Sequence, residues 1–221
     1  MSFLLPSPFK VFLRCFSLFS EGGFYITVLM SVTRVILGFL TGVIIGIILA
    51  LLMNIGRPAY AIISPLLTVI KSTPVASFII LLWVFMPSGI LPGIIGALVV
   101  IPIVAQNVYS GLANVDKSLV EVAKIYDFTT EKRLTYIIIP SVYPYFTSAA
   151  LTSIGMAWKA GVAAEVLAYV KNSLGKEIFL AKSNLNTTDL FAYTLIVIIL
   201  SLIIEKTIKH FIRKVNVKYA K

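Results

Sequence analysis

Long apolar segments alternate with short polar stretches along the chain. Residues 35–56 form a run of 22 positions without one charged side chain. A helix needs about 20 apolar residues to cross the hydrocarbon core of a bilayer. The pattern therefore predicts an all-α polytopic membrane protein, with a single transmembrane domain over residues 1–221. About five membrane helices are predicted, at residues 25–53, 59–86, 90–109, 140–168 and 190–204.

Prolines and glycines modify these segments. Pro74 lies in the second segment and predicts a kink, because proline removes a backbone hydrogen bond from a helix. In the first segment Gly38, Gly42 and Gly46 recur every four residues, so they share one helical face and would let another helix approach closely. The alternative is that these glycines have no packing role, and the sequence leaves both interpretations open.

Two stretches differ from the apolar pattern. Residues 113–135 carry four basic and four acidic side chains in a composition that favours helices. Residues 1–24 precede the first span and are predicted to form an amphipathic segment at the outer membrane interface.

Composition supports the membrane interpretation. Hydrophobic residues make up 59% of the chain and charged residues only 13%, with a mean hydropathy of +0.99. Soluble domains usually carry about 25% charged residues. The net charge of +10 would suggest a nucleic-acid partner in a soluble protein, but here the basic residues lie mostly between apolar runs. Nucleic-acid binding is therefore not expected.

Basic residues also predict the orientation, because positively charged loops are retained in the cytoplasm. The tail at residues 205–221 has 6 basic side chains and 1 acidic one, which places it in the cytoplasm together with Arg57. Five spans then place the charged stretch in the cytoplasm and the amino terminus outside. The loop that carries Lys171, Lys176 and Lys182 falls outside, against the usual trend.

Three ionisable residues lie within predicted spans: Lys71, Lys159 and Glu165. Such residues are costly in a membrane and usually face a cavity or a partner. They are candidates for the substrate pathway, with the two lysines contacting an anionic solute. The alternative is a structural role, and Arg34 is a plausible partner for Glu165.

Residues suited to catalysis are scarce. The chain has one histidine and one cysteine, too few for a catalytic triad or a metal cluster, and it has no glycine-rich phosphate loop. A membrane-embedded enzyme would need several ionisable residues at one depth, and only Glu165 and Glu205 lie deep enough. We therefore expect no catalytic residues, no metal and no cofactor, and any ATP hydrolysis would come from a separate subunit.

Several motifs, in the expected order along nearly the whole chain, resemble the permeases of binding-protein-dependent ABC importers. Glu121-Val122-Ala123, followed by Ile137-Ile138-Ile139-Pro140, is similar to the Glu-Ala-Ala loop of that family. The resemblance is closer to the nitrate/sulfonate/taurine branch. It rests on Leu5-Pro6-Ser7-Pro8, Ser31-Val32-Thr33-Arg34-Val35 with Gly38-Phe39, Pro140 with Pro144, and Ala157-Trp158-Lys159-Ala160-Gly161-Val162-Ala163-Ala164-Glu165.

The resemblance implies a type I ABC importer permease fold with a cytoplasmic coupling loop at residues 113–139. A short helix of this loop would sit in a groove of the ATPase, with Glu121 as an anchor and Ala123 permitting close seating. Pro140 completes the motif. The family usually has glycine where this chain has Asp127, so the turn in the loop is expected to be formed differently.

The resemblance also implies partners, location and solute. The permease would work as a homodimer in the cell membrane of a prokaryote, with cytoplasmic ATP-binding subunits and an extracytoplasmic solute-binding protein. The solute would be nitrate, a sulfonate, taurine or bicarbonate, or alternatively a pyrimidine vitamin precursor; an ion-coupled carrier is a further alternative. The family's first membrane helix normally precedes the Leu-Pro-Ser-Pro motif. The sequence leaves open whether this protein is a variant with five helices or whether the reading frame begins too late to include that helix.

Overall fold

Helices account for nearly all of the structure. A computed structural model of the protein describes residues 6–219, and it contains no β-strand within that range. Leu5 of the Leu-Pro-Ser-Pro motif lies outside the described residues. The elements are α1 (Pro8–Leu18), α2 (Phe24–Ile55), α3 (Arg57–Ser72), α4 (Val75–Phe85), α5 (Leu91–Ala113), α6 (Lys117–Ile125), α7 (Thr130–Arg133), a π-helical turn (Leu134–Ile138), α8 (Ile139–Leu167), α9 (Leu174–Ser183) and α10 (Thr187–Tyr219).

Four helical segments of the described chain are long and apolar enough to cross a membrane. A fifth span is formed if the bent pair of α3 and α4 crosses as one unit. This agrees with the predicted all-α membrane protein of about five spans. The four long segments are Phe24–Ile55, Leu91–Ala113, Thr130–Leu167 and Thr187–Ile212.

The second predicted span is two helices and not one kinked helix. The axes of α3 and α4 are bent by 99° at the break between them. Pro74 has no N–H to donate, and its ring drives the preceding Thr73 into the extended conformation, with a ψ of 131°. The same proline that predicted a kink therefore ends one helix and starts the next.

The predicted fourth span begins at Thr130 and not at residue 140. The side chain of Thr129 caps this start by accepting a hydrogen bond from the N–H of Lys132. In the π-helical turn that follows, the N–H of Ile139 donates to the carbonyl of Leu134, five residues earlier. The second half of the predicted coupling loop is thus continuous with α8.

The glycines of α2 form its contact with α5. A Cβ atom on Gly38 would lie 2.1 Å from the carbonyl oxygen of Gly93. Cβ atoms on Gly42 and Gly46 would each lie 2.8 Å from the Cβ atom of a valine on α5. Because no side chain fits between the two helices at these positions, the packing role of the glycines is confirmed.

The main core lies where α2, α5, α8 and α10 meet. Trp158 of α8 is 1% exposed, and its indole N–H donates to the carbonyl of Val197 on α10 over 3.1 Å. A buried indole needs such a partner. The contact fixes α10 against α8.

Two short helices flank this core near the start of α10. In α1, Arg14 forms an ion pair with Asp189, which ties the helix to α10. Several large apolar side chains of α1 remain exposed, as expected for the amphipathic segment predicted within residues 1–24; its position at the membrane interface stays a prediction. The second helix, α9, occupies a stretch that the sequence indicated only as a polar loop. The exposed apolar side chains of α1 include Phe9, Phe12, Leu13 and Phe16.

Candidate solute path and coupling surface

A cavity of about 340 Å³ opens between the α3–α4 break, α5 and α8. Lys71 lies at its edge, and the ammonium group of Lys71 donates a hydrogen bond to Oε1 of Gln106 over 3.3 Å. Asn107 and Thr152 add further polar groups to a wall that is otherwise apolar. The break at Pro74 positions Lys71 here, because it ends α3 one residue beyond this side chain.

The charge of this cavity suits an anion. Lys71 is its one charged lining residue, and none of its described lining residues is acidic. Gln106 is the only hydrogen-bond partner of Lys71 among the described residues. An ammonium group has three donors, so two remain available to a ligand. An anion that leaves water here would gain a compensating charge and hydrogen bonds.

Lys159 lies on the exposed side of α8 that also carries the cavity residues Thr152 and Met156, but Lys159 itself does not line the cavity. Thr152, Met156, Lys159 and Ala163 are all exposed and follow at spacings of four, three and four residues, which places them on one side of the helix. Within the described chain Lys159 forms no hydrogen bond or ion pair. Its side chain is therefore free to meet a solute or a neighbouring subunit.

Glu165 is separate from the cavity and completely buried, with 0% of its surface exposed. Its Oε2 accepts hydrogen bonds from the hydroxyl of Ser31, over 2.8 Å, and from the N–H of Gly175, over 3.2 Å. The guanidinium of Arg34 lies 3.7 Å from Oε1. The predicted pairing with Arg34 is confirmed, and the structure does not bring Glu165 together with Lys71 or Lys159.

The helix α6 presents an exposed, partly apolar surface in the predicted coupling loop. Asp116 caps its start by accepting hydrogen bonds from the N–H and the hydroxyl of Ser118, and these bonds lower the pKa of Asp116. Glu121 is exposed, whereas Ala123 is 2% exposed. Ala123 therefore faces the protein itself, so the surface left for a partner consists of Glu121 and its exposed neighbours. These neighbours are Leu119, Val122, Ile125 and Tyr126.

Asp127 ends α6 in the conformation that glycine adopts easily. Its φ is +50°, and the N–H of Phe128 donates to the carbonyl of Ala123 over 2.9 Å. This bond closes the end of the helix in the way that usually places glycine at the left-handed position. The turn is therefore not formed differently, as the departure from glycine suggested; Asp127 adopts the glycine geometry.

Replacing Asp127 with glycine should stabilise the loop. Left-handed backbone costs a residue with a Cβ roughly 1 kcal/mol, although aspartate tolerates it better than most residues. We expect Asp127→Gly to slow hydrogen exchange of the α6 amides, while Asp127→Val should accelerate it. Hydrogen exchange followed by mass spectrometry would measure both changes, and faster exchange in the glycine variant would contradict the assigned backbone.

Pro140 is the second residue of α8, and Ile139 separates it from the π-helical turn. Neither Pro140 nor Pro144 can donate a backbone hydrogen bond, and the wider π turn accommodates the first of these gaps. Pro140 thus lies in the first turn of α8, and not in the exposed surface of α6.

Sequence reasoning missed the residues that line the cavity together with Lys71. Gln106 and Asn107 are the only side-chain amides in the apolar segment at residues 90–109, and this isolated polarity was the available signal. Thr152 and Met156 gave none, because their places on the cavity wall depend on how α5 packs against α8.

Comparisons with known proteins find similarity to the membrane subunits of transport systems. Residues 42–217 match the model of a family described as binding-protein-dependent transport system inner membrane component. A putative aliphatic sulfonates transport permease, SsuC of Bacillus subtilis, is 26% identical over 99% of this chain and 78% of its own length. The nitrate import permease NrtB of Synechocystis is 28% identical, over 74% of this chain and 63% of its own. The bicarbonate transport permease CmpB of Synechococcus elongatus is 29% identical, over 66% and 53%.

Solved transporters share the fold. The crystal structure of an amino acid ABC transporter with histidines superposes with a TM-score of 0.70 at 19% identity, covering 97% of this chain and 100% of that chain. The inward-facing methionine transporter MetNI gives a TM-score of 0.64 at 18% identity, covering 86% of this chain and 93% of that one.

Proposed function

Because the chain belongs to the family of inner membrane components of binding-protein-dependent transport systems, we propose that it conducts a small anion through the cavity at Lys71. The protein is a multi-pass permease of the prokaryotic plasma membrane. The single observation that carries the choice of an anion is the cavity itself, which holds one cation, side-chain amides and no acid among its described lining residues.

The names of the relatives agree in the kind of solute. A sulfonate, nitrate and bicarbonate are all small oxyanions. A cation surrounded by amide and hydroxyl groups binds such oxygens through charge-assisted hydrogen bonds, which are roughly twice as strong as neutral ones. The polar residues of the cavity address the anionic group of the solute, so we assign the class of solute and leave the choice within the class to the solute-binding protein.

A second copy of the permease completes the path. The row of Thr152, Met156 and Lys159 on α8 is exposed although it lies on a membrane helix next to the cavity. A lysine that faces lipid in the middle of a span is costly. Pairing two copies across this face would enclose the cavity and place Lys159 in a water-filled path beside Lys71. Glu165, by contrast, is assigned a structural role outside the path.

ATP hydrolysis would be supplied by separate cytoplasmic subunits that contact α6. The helix is exposed, carries apolar side chains at its surface and connects through α7 and the π turn to α8. Closure of the ATP-binding subunits could therefore move α8, which carries one wall of the cavity. Alternating access requires that the partners favour one state of this element over the other.

Reversing the charge of Glu121 should uncouple transport. Exposed charges contribute only about 0–1 kcal/mol to folding, so we expect Glu121→Lys to insert and accumulate normally while solute uptake and the stimulation of ATP hydrolysis fall together. The matched control is Glu131→Lys, the same reversal in the same loop but outside α6. Uptake at the wild-type rate in Glu121→Lys, at equal expression, would count against a contact at α6.

A further inference from the structure

Three lysines lie in a segment that the proposed topology places outside the cell. Lys171, Lys176 and Lys182 belong to the connection between α8 and α10 and to α9 within it. Basic residues concentrate in cytoplasmic loops of membrane proteins, so an outer segment with three lysines and a single acid, Glu177, runs against the trend. Neither the cavity nor α6 uses any of these residues.

The backbone beneath these lysines is fixed by buried polar contacts. The carboxylate of Glu165 accepts the N–H of Gly175, and Ser31 accepts the N–H of Leu174 over 2.9 Å while donating to the same carboxylate. The first turn of α9 is thereby held against α2 and α8. Gly175 is required for this approach, because a Cβ atom there would lie 2.4 Å from the Cβ of Glu165.

Arg34 holds the preceding residues in the same way. Its guanidinium donates to the carbonyl of Lys171 over 3.1 Å and to that of Asn172 over 3.0 Å, and it faces Glu165. Burying charged groups costs free energy unless they are paired. Here the buried carboxylate of Glu165 and the partly buried guanidinium of Arg34 bind backbone atoms of an exposed loop, so their effect is to give that loop one conformation.

The exposed side of this rigid loop combines aromatic and basic groups. Tyr169 and Phe179 pack edge to face at 5.3 Å and remain 43% and 39% exposed. The ammonium group of Lys176 lies 5.3 Å from the centre of the Tyr169 ring. Lys171 and Asn172 are exposed beside them. We call this group, from Tyr169 to Phe179, the outer basic surface.

Glu177 is the single acidic residue beside these lysines. Burial raises the pKa of its carboxyl group, the carboxylates of Glu21 and Asp189 add to this effect, and Lys176 opposes it. Glu21 lies in the connection between α1 and α2, and Asp189 lies in the first turn of α10. With Lys171 and Lys176 against one carboxyl group, the outer basic surface has more basic than acidic side chains.

From the rigid backbone, the exposed rings and the misplaced positive charge, we propose that the outer basic surface is the docking site for an acidic patch on the solute-binding protein, with Glu165 as its positioning residue. The inference rests on the proposed function, which supplies the outward orientation and the partner. Exposed aromatic side chains are enriched in protein interfaces, and complementary charge steers association and fixes register.

A protein partner fits this surface better than the free solute does. The residues that line the Lys71 cavity do not include any residue of the outer basic surface. A small anion would gain nothing from contact with two exposed aromatic rings held in a fixed geometry, whereas a docking protein would bury both rings. Attraction of the free solute by the lysines is the competing outcome, and the experiment below separates the two.

The test uses the complete transporter in nanodiscs, with its ATP-binding subunits, and titrates its solute-binding protein while ATP hydrolysis is measured. We expect the double variant Lys171→Gln/Lys176→Gln to raise the half-saturating concentration of the binding protein about tenfold at low salt, as loss of steering charges does. The maximal rate and the basal rate should not change, and the difference should shrink as salt rises. Lys10→Gln, the same change on α1, is the matched control.

Two results would overturn the docking site. One is an unchanged half-saturating concentration in the lysine variant. The other is a normal half-saturating concentration with reduced uptake per ATP, which would assign the lysines to the free solute.

Glu165 is tested in the same titration. Glu165→Gln keeps the size and an acceptor for Ser31 but removes the charge facing Arg34, so the half-saturating concentration should rise while the maximal rate and the assembly of the complex are kept. In the same variant, hydrogen exchange at the amides of residues 170–175 should become faster. A loss of maximal rate without a change in half-saturation would show a structural role only.

Orientation is checked separately, so that failure of the proposed function is recognised. Single cysteines at Asn172 and Lys117, in a Cys15→Ala background, are exposed to an impermeant thiol reagent. The proposed topology predicts that intact cells are labelled at position 172 and not at 117. The reverse result, or a wild-type complex whose ATP hydrolysis does not respond to the binding protein, would overturn the proposed function and the docking site with it. Normal labelling with unaffected lysine variants would overturn the docking site alone.

Discussion

Replacing Gly38 with alanine is expected to destabilise the protein more than any other single-methyl change in the described chain. The new Cβ atom would lie 2.1 Å from the backbone oxygen of Gly93, and a backbone carbonyl cannot rotate away as a flexible side chain can. Overpacking of this kind costs typically about 1–3 kcal/mol, and contact with backbone places Gly38 at the upper end. The helices α2 and α5 would have to separate along their whole contact.

Gly89→Ala is the matched control, because a Cβ atom on Gly89 meets nothing within 4 Å. Thermal unfolding in detergent, followed by the fraction of protein that stays monodisperse, measures both variants. We expect a clearly lower midpoint for Gly38→Ala and no change for Gly89→Ala. Equal midpoints would show that α2 and α5 do not meet through the glycine face.

Replacing Lys71 with methionine is expected to lower anion uptake by about ten- to a hundredfold, because a hydrogen bond to a charged group contributes about 1.5–3 kcal/mol. Methionine keeps the approximate length and removes the charge. Insertion into the membrane should become easier, since a lysine within a span is costly. The loss should therefore appear in uptake and not in the amount of assembled complex.

Lys159→Met serves as the comparison for Lys71→Met. The two changes are chemically identical, but Lys159 lies outside the cavity and forms no hydrogen bond or ion pair within the described chain, so we expect a smaller loss. Gln106→Leu should reproduce part of the Lys71 effect, because it removes the amide that positions the ammonium group. Wild-type uptake in Lys71→Met at equal expression would remove Lys71 from the path.

The spans could be predicted from the sequence because a membrane imposes one simple requirement. Residues 25–53 were predicted as a span and α2 is Phe24–Ile55, since a long run without charge has no alternative to a helix in the bilayer. The glycine face was suggested by its spacing, but only the position of α5 distinguished packing from the absence of a role.

Predictions were weaker where several elements contribute. Pro74 indicated a kink, but the 99° bend depends on Thr73 taking an extended backbone and on what α4 packs against. The cavity could not be predicted, because Lys71, Gln106 and Thr152 come from three helices and only tertiary packing brings them together. For Glu165 the sequence identified the partner, Arg34, and left a solute contact and a structural role both open; the structure adds the contacts with Ser31 and Gly175.

Uptake into proteoliposomes tests most directly whether this chain conducts a small anion in an ATP-driven importer. Vesicles would contain the permease with its ATP-binding subunits, and the solute-binding protein would be added outside with labelled nitrate, a sulfonate or bicarbonate. The account predicts uptake of one of these anions that requires internal ATP, the ATP-binding subunits and the binding protein together, and that falls in the Lys71→Met variant. Uptake driven by an ion gradient through the permease alone would contradict it.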